Sequence, residues 1–281
     1  MPSDLTASLC AGLPSPIGDD GFALPETEGL VFHEQPAEGA GPAVLRPGLR
    51  ATVDRGHDNL VFAHPGTLKH SCSIMVRNGS ENRILLGKTR VVKGQITING
   101  SRNRIILCGG GPEDRPAGAF TLNATIVADD ATLFIGRDTT VGGVNIWVQG
   151  DRSAMVIGED CMISWDVKLR TGDAHSVIDM ASERVTNLVR DVTVGPHVWL
   201  GYEVHVFKGV NIGAGSIIGS TSTVIRDVAP CSAASGVPAR TLRSGVTWSR
   251  QMQAGPEEIR RILGRSYLRA HRPEAVSAET D

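Results

Sequence analysis

From residue 194 to residue 229 an aliphatic side chain returns at every sixth position: Val194, Leu200, Val206, Ile212, Ile218 and Val224. A strand repeats every two residues and a helix every 3.6, so neither explains a period of six. A triangular parallel coil does. One flat side and one corner use six residues, and three sides close a turn. The first residue of each six points into the core. The fifth also points inward, near a corner; here it is Val198, Val204, Val210, Ser216, Ser222 and Val228. If about a quarter of residues are Val, Ile or Leu, six hits in six arise by chance roughly once in four thousand trials. Gly158, Gly195, Gly201, Gly213 and Gly219 hold the second position. A corner there is expected to need positive φ, which glycine supplies.

The same period starts earlier, at Ile157, Ile163 and Leu169, with Cys161 and Val167 as fifth residues. From Leu169 to Val194 is 25 positions, one more than four sixes, so the irregular segment 170–193 must leave the coil. Upstream a looser repeat runs through GHDNLVF, GSENRILLG, GSRNRIILCG, DDATLFIG and RSAMVIG. It aligns Asn59, Asn82, Asn103, Ala131 and Ala154 at spacings of 23, 21, 28 and 23. Self-similarity at such a period marks a solenoid. The longest interval holds CGGGPEDRPAG, within 108–118. It reads as an inserted surface loop, because it lacks the GxxxxGK[ST] order of a phosphate loop.

Three regions follow: an arm over 1–50, a β-helix over 51–243 and a tail over 244–281. The arm is rich in Pro, Gly and Glu and has no sustained period. In the tail, Pro256 followed by Glu257 and Glu258 predicts a helix start, with Ile259, Ile262, Leu263 and Leu268 on one side. Its arginines at 260, 261, 265, 269 and 272 read as the solvated face of a docking helix, with phosphate contact as the alternative. Arm and tail are the candidate covers for the open ends of the coil.

Composition narrows the function. A net charge of −2 recruits neither nucleic acid nor an anionic membrane, and 4% aromatics argue against a base-stacking platform. The cysteines, at 10, 72, 108, 161 and 231, form no CxxC pair, so a reduced, cytoplasmic protein without a metal is expected. No signal peptide and no spanning segment is read from the sequence.

The run resembles the hexapeptide-repeat acyltransferases, and specifically the sugar and polysaccharide O-acetyltransferases. The resemblance rests on VGPHVWLG, IGSTSTVIRDV and the exit SGVPARTLR, with IGEDCMISWDVKLRTGDAHSVID similar to a subgroup that acetylates surface polysaccharide. It covers residues 157–243 and implies a left-handed parallel β-helix; with the short C-terminal helix and the poorly regular N-terminal arm read above, the expected fold class is all-β. The handedness comes from the resemblance alone. A homotrimer is implied, with acetyl-CoA in the groove between subunits and a saccharide as acceptor. His175, in RTGDAHSVID, matches the family's proton-accepting histidine. Trp199, Gly201, Tyr202, Gly219, Ser220, Arg226, Arg240 and Arg243 match the positions that contact the cofactor. Ile225 departs from the small or hydroxylated residue usual before the basic one.

The chemistry fits those residue types. A thioester carries its own leaving group, so no enzyme nucleophile is required. A hydroxyl acceptor has a pKa far above 7, and a neutral imidazole can take its proton as attack proceeds, worth typically ~10²–10⁴-fold. Asp173 is the nearest carboxylate by sequence to orient that ring, with Asp166 and Asp179 as rivals. His197, at position 4, is expected on the outer surface, as a structural or groove-lining residue. Trp199, at position 6, is expected to project outward toward cofactor or a neighbouring subunit. Three other functions stay open. They are a non-catalytic β-helix scaffold, N-acetylation of an amino sugar, and a γ-type carbonic anhydrase. The last needs three histidines on one metal, and its usual pair five apart is missing.

Overall fold

The computed structural model describes residues 13–24, 27, 30–33, 35–110 and 119–271. Most of the CGGGPEDRPAG loop, Cys10 and Arg272 lie outside the described residues. Almost all strands pair in parallel, coil upon coil, in an eight-stranded and a fourteen-stranded sheet. The fold is a left-handed parallel β-helix.

Every first-position side chain of the six-residue repeat is buried, from Val194 to Val224, and so is every fifth, including Ser216 and Ser222. The two serines satisfy their hydroxyls on backbone carbonyls, Ser216 on Ala229 at 2.9 Å and Ser222 on Gly219 at 2.6 Å.

The glycines are there for a different reason from the one expected. None of Gly158, Gly195, Gly201, Gly213 or Gly219 has positive φ. A Cβ on Gly213 would lie 2.4 Å from Pro230 N, and one on Gly158 2.5 Å from Pro196 N. Close stacking of successive corners excludes a side chain. Positive φ falls instead at position 4, on Asp160, Asp166, His197, Glu203, Gly209, Gly215 and Thr221.

The looser N-terminal repeat has its own cause. Strands Lys69–Asn78, Val91–Asn99, Ala119–Val127 and Thr140–Gln149 run nine or ten residues and replace two short sides. Thr140–Gln149 shows the change, because it pairs with both Met162–Ile163 and Val167–Arg170 of the next coil. Without a sharp corner between those sides, the six-residue constraint vanishes. The repeat also contains a one-residue misalignment. Thr132 pairs with Ala154, so the counterpart of Ala131 is Ser153, not Ala154.

The strands Leu60–Ala63, Arg83–Leu86, Arg104–Leu107, Thr132–Ile135 and Ala154–Ile157 are apolar on both faces. Their outer row, which includes Phe62, Leu85, Ile106, Phe134 and Val156, packs against Phe22 and Leu30 of the arm. Sheets covered on both faces carry such continuous apolar runs. At the N-terminal end, Val31–His33 and Ala43–Arg46 pair antiparallel onto the first coil. At the other end the antiparallel hairpin Ser232–Gly236 with Ala239–Ser244 finishes the sheet.

The tail forms two short helices, α1 (Pro256–Leu263) and α2 (Ser266–Arg269). Ile262 and Leu268 pack on Ala214 and Cys231, so the helices cover a flank of the last coils rather than their end. Ile259 stays exposed, which narrows the expected apolar side.

Candidate active site

Strand Val167–Arg170 ends where the chain leaves the coil, and it returns at Val192–Val194. The excursion carries a small hairpin, Ile178–Asp179 with Arg184–Val185. Its root is fixed by Thr171, whose Oγ1 accepts from Gln149 N at 2.8 Å and whose carbonyl accepts from Arg190 N at 2.9 Å.

Asp173, Asn187 and Lys208 form the knot that holds His175. The Asp173 carboxylate accepts from Lys208 Nζ at 2.5 Å and from Asn187 Nδ2 at 2.9 Å. Asn187 Nδ2 also donates to the His175 carbonyl at 2.8 Å, and Asn187 Oδ1 accepts from Val177 N at 2.7 Å. Lys208 donates a further bond to the Asn187 carbonyl at 2.6 Å. The lysine bond, then the asparagine bond and the positive charge of Lys208, hold the Asp173 carboxyl below the usual carboxylate range. The backbone on both sides of His175 is therefore fastened. Its side chain is exposed and makes no hydrogen bond among the described residues.

The expected Asp173–imidazole pair does not form within the protomer. Asp173 is spent on Lys208 and Asn187, so it positions the loop rather than the ring. Asp179 bonds Ser182, and neither Asp179 nor Asp166 hydrogen-bonds the His175 ring among the described residues, so neither rival orients it either. Lys208 and Asn187 were not visible as site residues in the sequence. The only signal was that Lys208 follows an inward valine by two positions, at the corner below the excursion.

The residues matched to the cofactor fall on two edges of the prism. Gly201 N bonds the Ile218 carbonyl, Thr221 N bonds the Tyr202 carbonyl and Gly219 N bonds the Ala234 carbonyl. Gly201, Tyr202, Gly219 and Ser220 thus stack along one edge, which leads to Ser235 and its partner Arg240 in the terminal hairpin. Tyr202 is exposed there, as are Arg240 and Arg243. Trp199 projects outward as expected, 37% exposed, and shares a shallow apolar groove of about 420 Å³ with Trp165, Met162 and Gly142. Arg226 sits elsewhere. Phe207 N bonds the Val224 carbonyl, so Arg226 stacks at the corner of Lys208 and the His175 loop. Arg226, Arg240 and Arg243 have no carboxylate partner among the described residues and remain available to phosphate oxygens.

His197 is not on the outer surface. The tail covers it, leaving it 2% exposed. Its Nδ1 lies 2.7 Å from Asp160 Oδ2 and its Nε2 2.9 Å from the Trp248 carbonyl. The Trp248 ring stacks on it at 4.4 Å and donates Nε1–H to the His197 carbonyl at 2.7 Å. Arg250 and Arg265 also reach Asp160, so the tail arginine at 265 meets a carboxylate and not a phosphate. No group of three or more His, Cys, Asp or Glu side chains that could hold a metal occurs among the described residues.

No family model matches the chain. A polysialic acid O-acetyltransferase of Escherichia coli O1:K1 is 33% identical over 129 residues, 46% of this chain and 42% of that protein. A polysialic acid O-acetyltransferase of Neisseria meningitidis is 26% identical over 163 residues, 58% of this chain and 72% of that protein. The crystal structure of the polySia specific acetyltransferase NeuO superposes with a TM-score of 0.57 at 28% identity, covering 74% of this chain and 88% of that one. The chain is similar in sequence and in fold to the hexapeptide-repeat acyltransferases. The match spans less than half the length of the Escherichia coli relative. Within the family's fold, this chain places an exposed histidine on a pinned excursion loop, one face away from a glycine- and serine-lined edge.

Proposed function

We propose that the protein is an acetyl-CoA-dependent O-acetyltransferase that acetylates a hydroxyl of a saccharide, with His175 as general base. The observation that carries the reading is the knot of Asp173, Asn187 and Lys208, which fixes the backbone of His175 while its imidazole faces solvent. The likeness to O-acetyltransferases of polysialic acid supports the reaction class and the saccharide. The division into arm, β-helix and tail belongs to the same proposal, with the β-helix carrying the chemistry.

The acceptor hydroxyl oxygen attacks the thioester carbonyl carbon while the neutral imidazole takes its proton. A C–O bond forms and the C–S bond breaks. The imidazolium returns the proton to the departing thiolate, which leaves as the free thiol of CoA. No acyl-enzyme forms. Asp173 and Lys208 act by holding the loop. The edge of Gly201, Tyr202, Gly219 and Ser220, with Trp199, accepts the pantetheine arm, which packs on the exposed rings of Tyr202 and Trp199 and approaches the backbone at the two glycines. Arg240 and Arg243 at its end, and Arg226 on the edge of a neighbouring copy, meet the phosphates. That arrangement needs a homotrimer, since the two edges of one protomer face apart.

Thiol release from acetyl-CoA, followed against a panel of mono-, oligo- and polysaccharides, tests the reading. Wild type releases thiol only with an acceptor, and His175→Ala loses at least 10²-fold in kcat. Near-wild-type turnover by a folded His175→Ala protein would refute the role of His175. Thiol release with no saccharide at all would refute the reaction.

A further inference from the structure

The edge that carries Gly201, Tyr202, Gly219 and Ser220 has a direction. Arg240 and Arg243 stand at its C-terminal end, in the hairpin strand that pairs with Ser235 and Ala233. Going back along the axis, the backbone bonds run from Gly219 to the Ala234 carbonyl, from Thr221 to the Tyr202 carbonyl and from Glu203 to the Trp165 carbonyl. Three coil steps of about 4.8 Å, roughly 14 Å in all, separate Ser235 from Trp165. From pyrophosphate to sulfur the pantetheine arm is about twelve bonds, the length of about four extended residues, again roughly 14 Å. With its phosphates on the arginines, the cofactor therefore brings its thioester to the coil of Trp165. The His175 excursion leaves that same coil after Arg170, so in a threefold assembly the imidazole of a neighbouring copy stands at the same height.

One coil further on is the apolar groove. Trp165 is 64% exposed, and a Cβ on Gly142 would come within 3.1 Å of its indole. Gly142 and Gly143 form a β-bulge, where the register with Ala119–Val127 shifts. Bulges and strand glycines of this kind mark places where a ligand approaches closely. Met162 and Trp199, direct partners on adjacent strands, also line the groove. Trp248 of the tail backs Trp199, with ring centroids 6.1 Å apart. No charged side chain lines the groove, and its Thr140 hydroxyl accepts from Arg250 at 2.9 Å. A volume of about 420 Å³ is on the order of fourteen waters, far more than the methyl of an acetyl group fills. The groove opens on the strands before the corner, Met162–Ile163 and Trp199–Leu200, and not on the face between the two edges that meet in the trimer.

We propose that this groove is the acyl subsite of the donor and takes straight chains longer than acetyl, so that the protein also transfers acyl groups such as butyryl and hexanoyl. The inference rests on the O-acyltransferase reading and widens its donor. The step balances as it does for acetyl. The acceptor oxygen bonds the acyl carbonyl carbon, the C–S bond breaks, and the proton passes through the imidazole to the thiolate. An acceptor sugar fits the groove less well, because its hydroxyls would face indole, thioether and a hydroxyl already bonded. A chain turned into the groove also leaves the carbonyl carbon open toward the imidazole of the neighbouring copy.

Calorimetric titration with the thioether analogues S-ethyl-CoA and S-hexyl-CoA reads the subsite with no transfer step. The added methylenes enter apolar contact, and wild type is expected to hold S-hexyl-CoA at least about tenfold more tightly than S-ethyl-CoA. Met162→Trp fills the groove and Trp165→Ala removes a wall, and each should bring that ratio to within about threefold. A ratio taken on one sample is unaffected by any fraction that fails to fold. Equal affinity in wild type, or an unchanged ratio in both variants, would overturn the subsite. So would a shift of sedimentation coefficient in Met162→Trp, which would make the groove a contact between copies. Thiol release separates this inference from the reading it rests on. Transfer to a saccharide from acetyl-CoA but not from hexanoyl-CoA overturns the wider donor alone. Tight S-hexyl-CoA binding by a protein that acylates no saccharide overturns the reaction and leaves the subsite standing.

Discussion

His197 Nδ1 and Asp160 Oδ2 lie 2.7 Å apart and both side chains are buried, although both residues occupy outward corner positions of the repeat. The tail makes the difference. Trp248 closes over the ring, and Arg250 and Arg265 bring positive charge to the same carboxylate. Burial works to raise the Asp160 pKa, but the His197 bond and the charges of Arg265 and Arg250 win and bring it to about 2. The folded value lies below the ordinary 3.8, so the carboxylate stabilises the fold above about pH 4. That contribution, on the order of 2 kcal/mol, is lost as pH falls from about 4 towards 2. Asp160→Asn leaves Arg265 and Arg250 without their partner and is expected to lower stability by about 3 kcal/mol. Its denaturation midpoint should also lose the part of the acid dependence in that window that Asp160 supplies, leaving a shallower fall than wild type. Urea melts from pH 2 to pH 6 check both.

Gly213→Ala tests the stacked corners. The new Cβ meets Pro230 N at 2.4 Å, with backbone that cannot move aside, and is expected to cost about 1–3 kcal/mol. Gly143→Ala is the control, because its nearest neighbour would lie at 3.7 Å. It should change stability by less than about 0.5 kcal/mol. Equal midpoints for the two variants would show that position 2 tolerates a side chain.

The coil was legible because its core obeys a strict count. Val194 to Val224 could sit inward only if the chain turned every six residues, and the structure puts them there. The left-handed sense and the acyltransferase family were legible only through likeness. The glycine positions were legible and their cause was not, since spacing identifies a corner without saying whether φ or contact excludes Cβ. His197 misled for a related reason. A repeat assigns faces within the coil and is silent about a tail that folds back 51 residues later to cover one. The Lys208–Asp173 bond was hidden in the same way, because its partners are 35 positions apart with an irregular excursion between them.

Asn82 is the centre of a buried ladder. Its side chain donates to Asn59 Oδ1 at 2.7 Å and to the Gly100 carbonyl at 3.0 Å. Its own Oδ1 accepts from both the backbone and the side chain of Asn103 at 3.0 Å. Asn82→Leu keeps the branched shape of the side chain but strands these groups, each unsatisfied buried partner costing about 1–3 kcal/mol. A loss of about 3 kcal/mol or more in a chemical melt is expected. Ser80→Ala, in the same turn but only partly buried, should lose far less. Comparable losses would mean the ladder contributes no more than an ordinary turn.

Lys208→Met separates holding the loop from doing the chemistry. The substitution keeps the length of the side chain and removes both donors, to Asp173 and to the Asn187 carbonyl. The excursion is exposed and packs little of the core, so thermal stability should fall by less than about 1 kcal/mol. Catalysis should fall more, because displacing a reacting group by about 1 Å can cost on the order of 10²-fold. A fall of at least tenfold in kcat, with KM for acetyl-CoA within about twofold of wild type, is expected. Lys208→Arg, which restores a cation at that corner, should recover part of the rate. If kcat held while KM for acetyl-CoA rose, Lys208 would belong to the cofactor and not to the loop that carries His175.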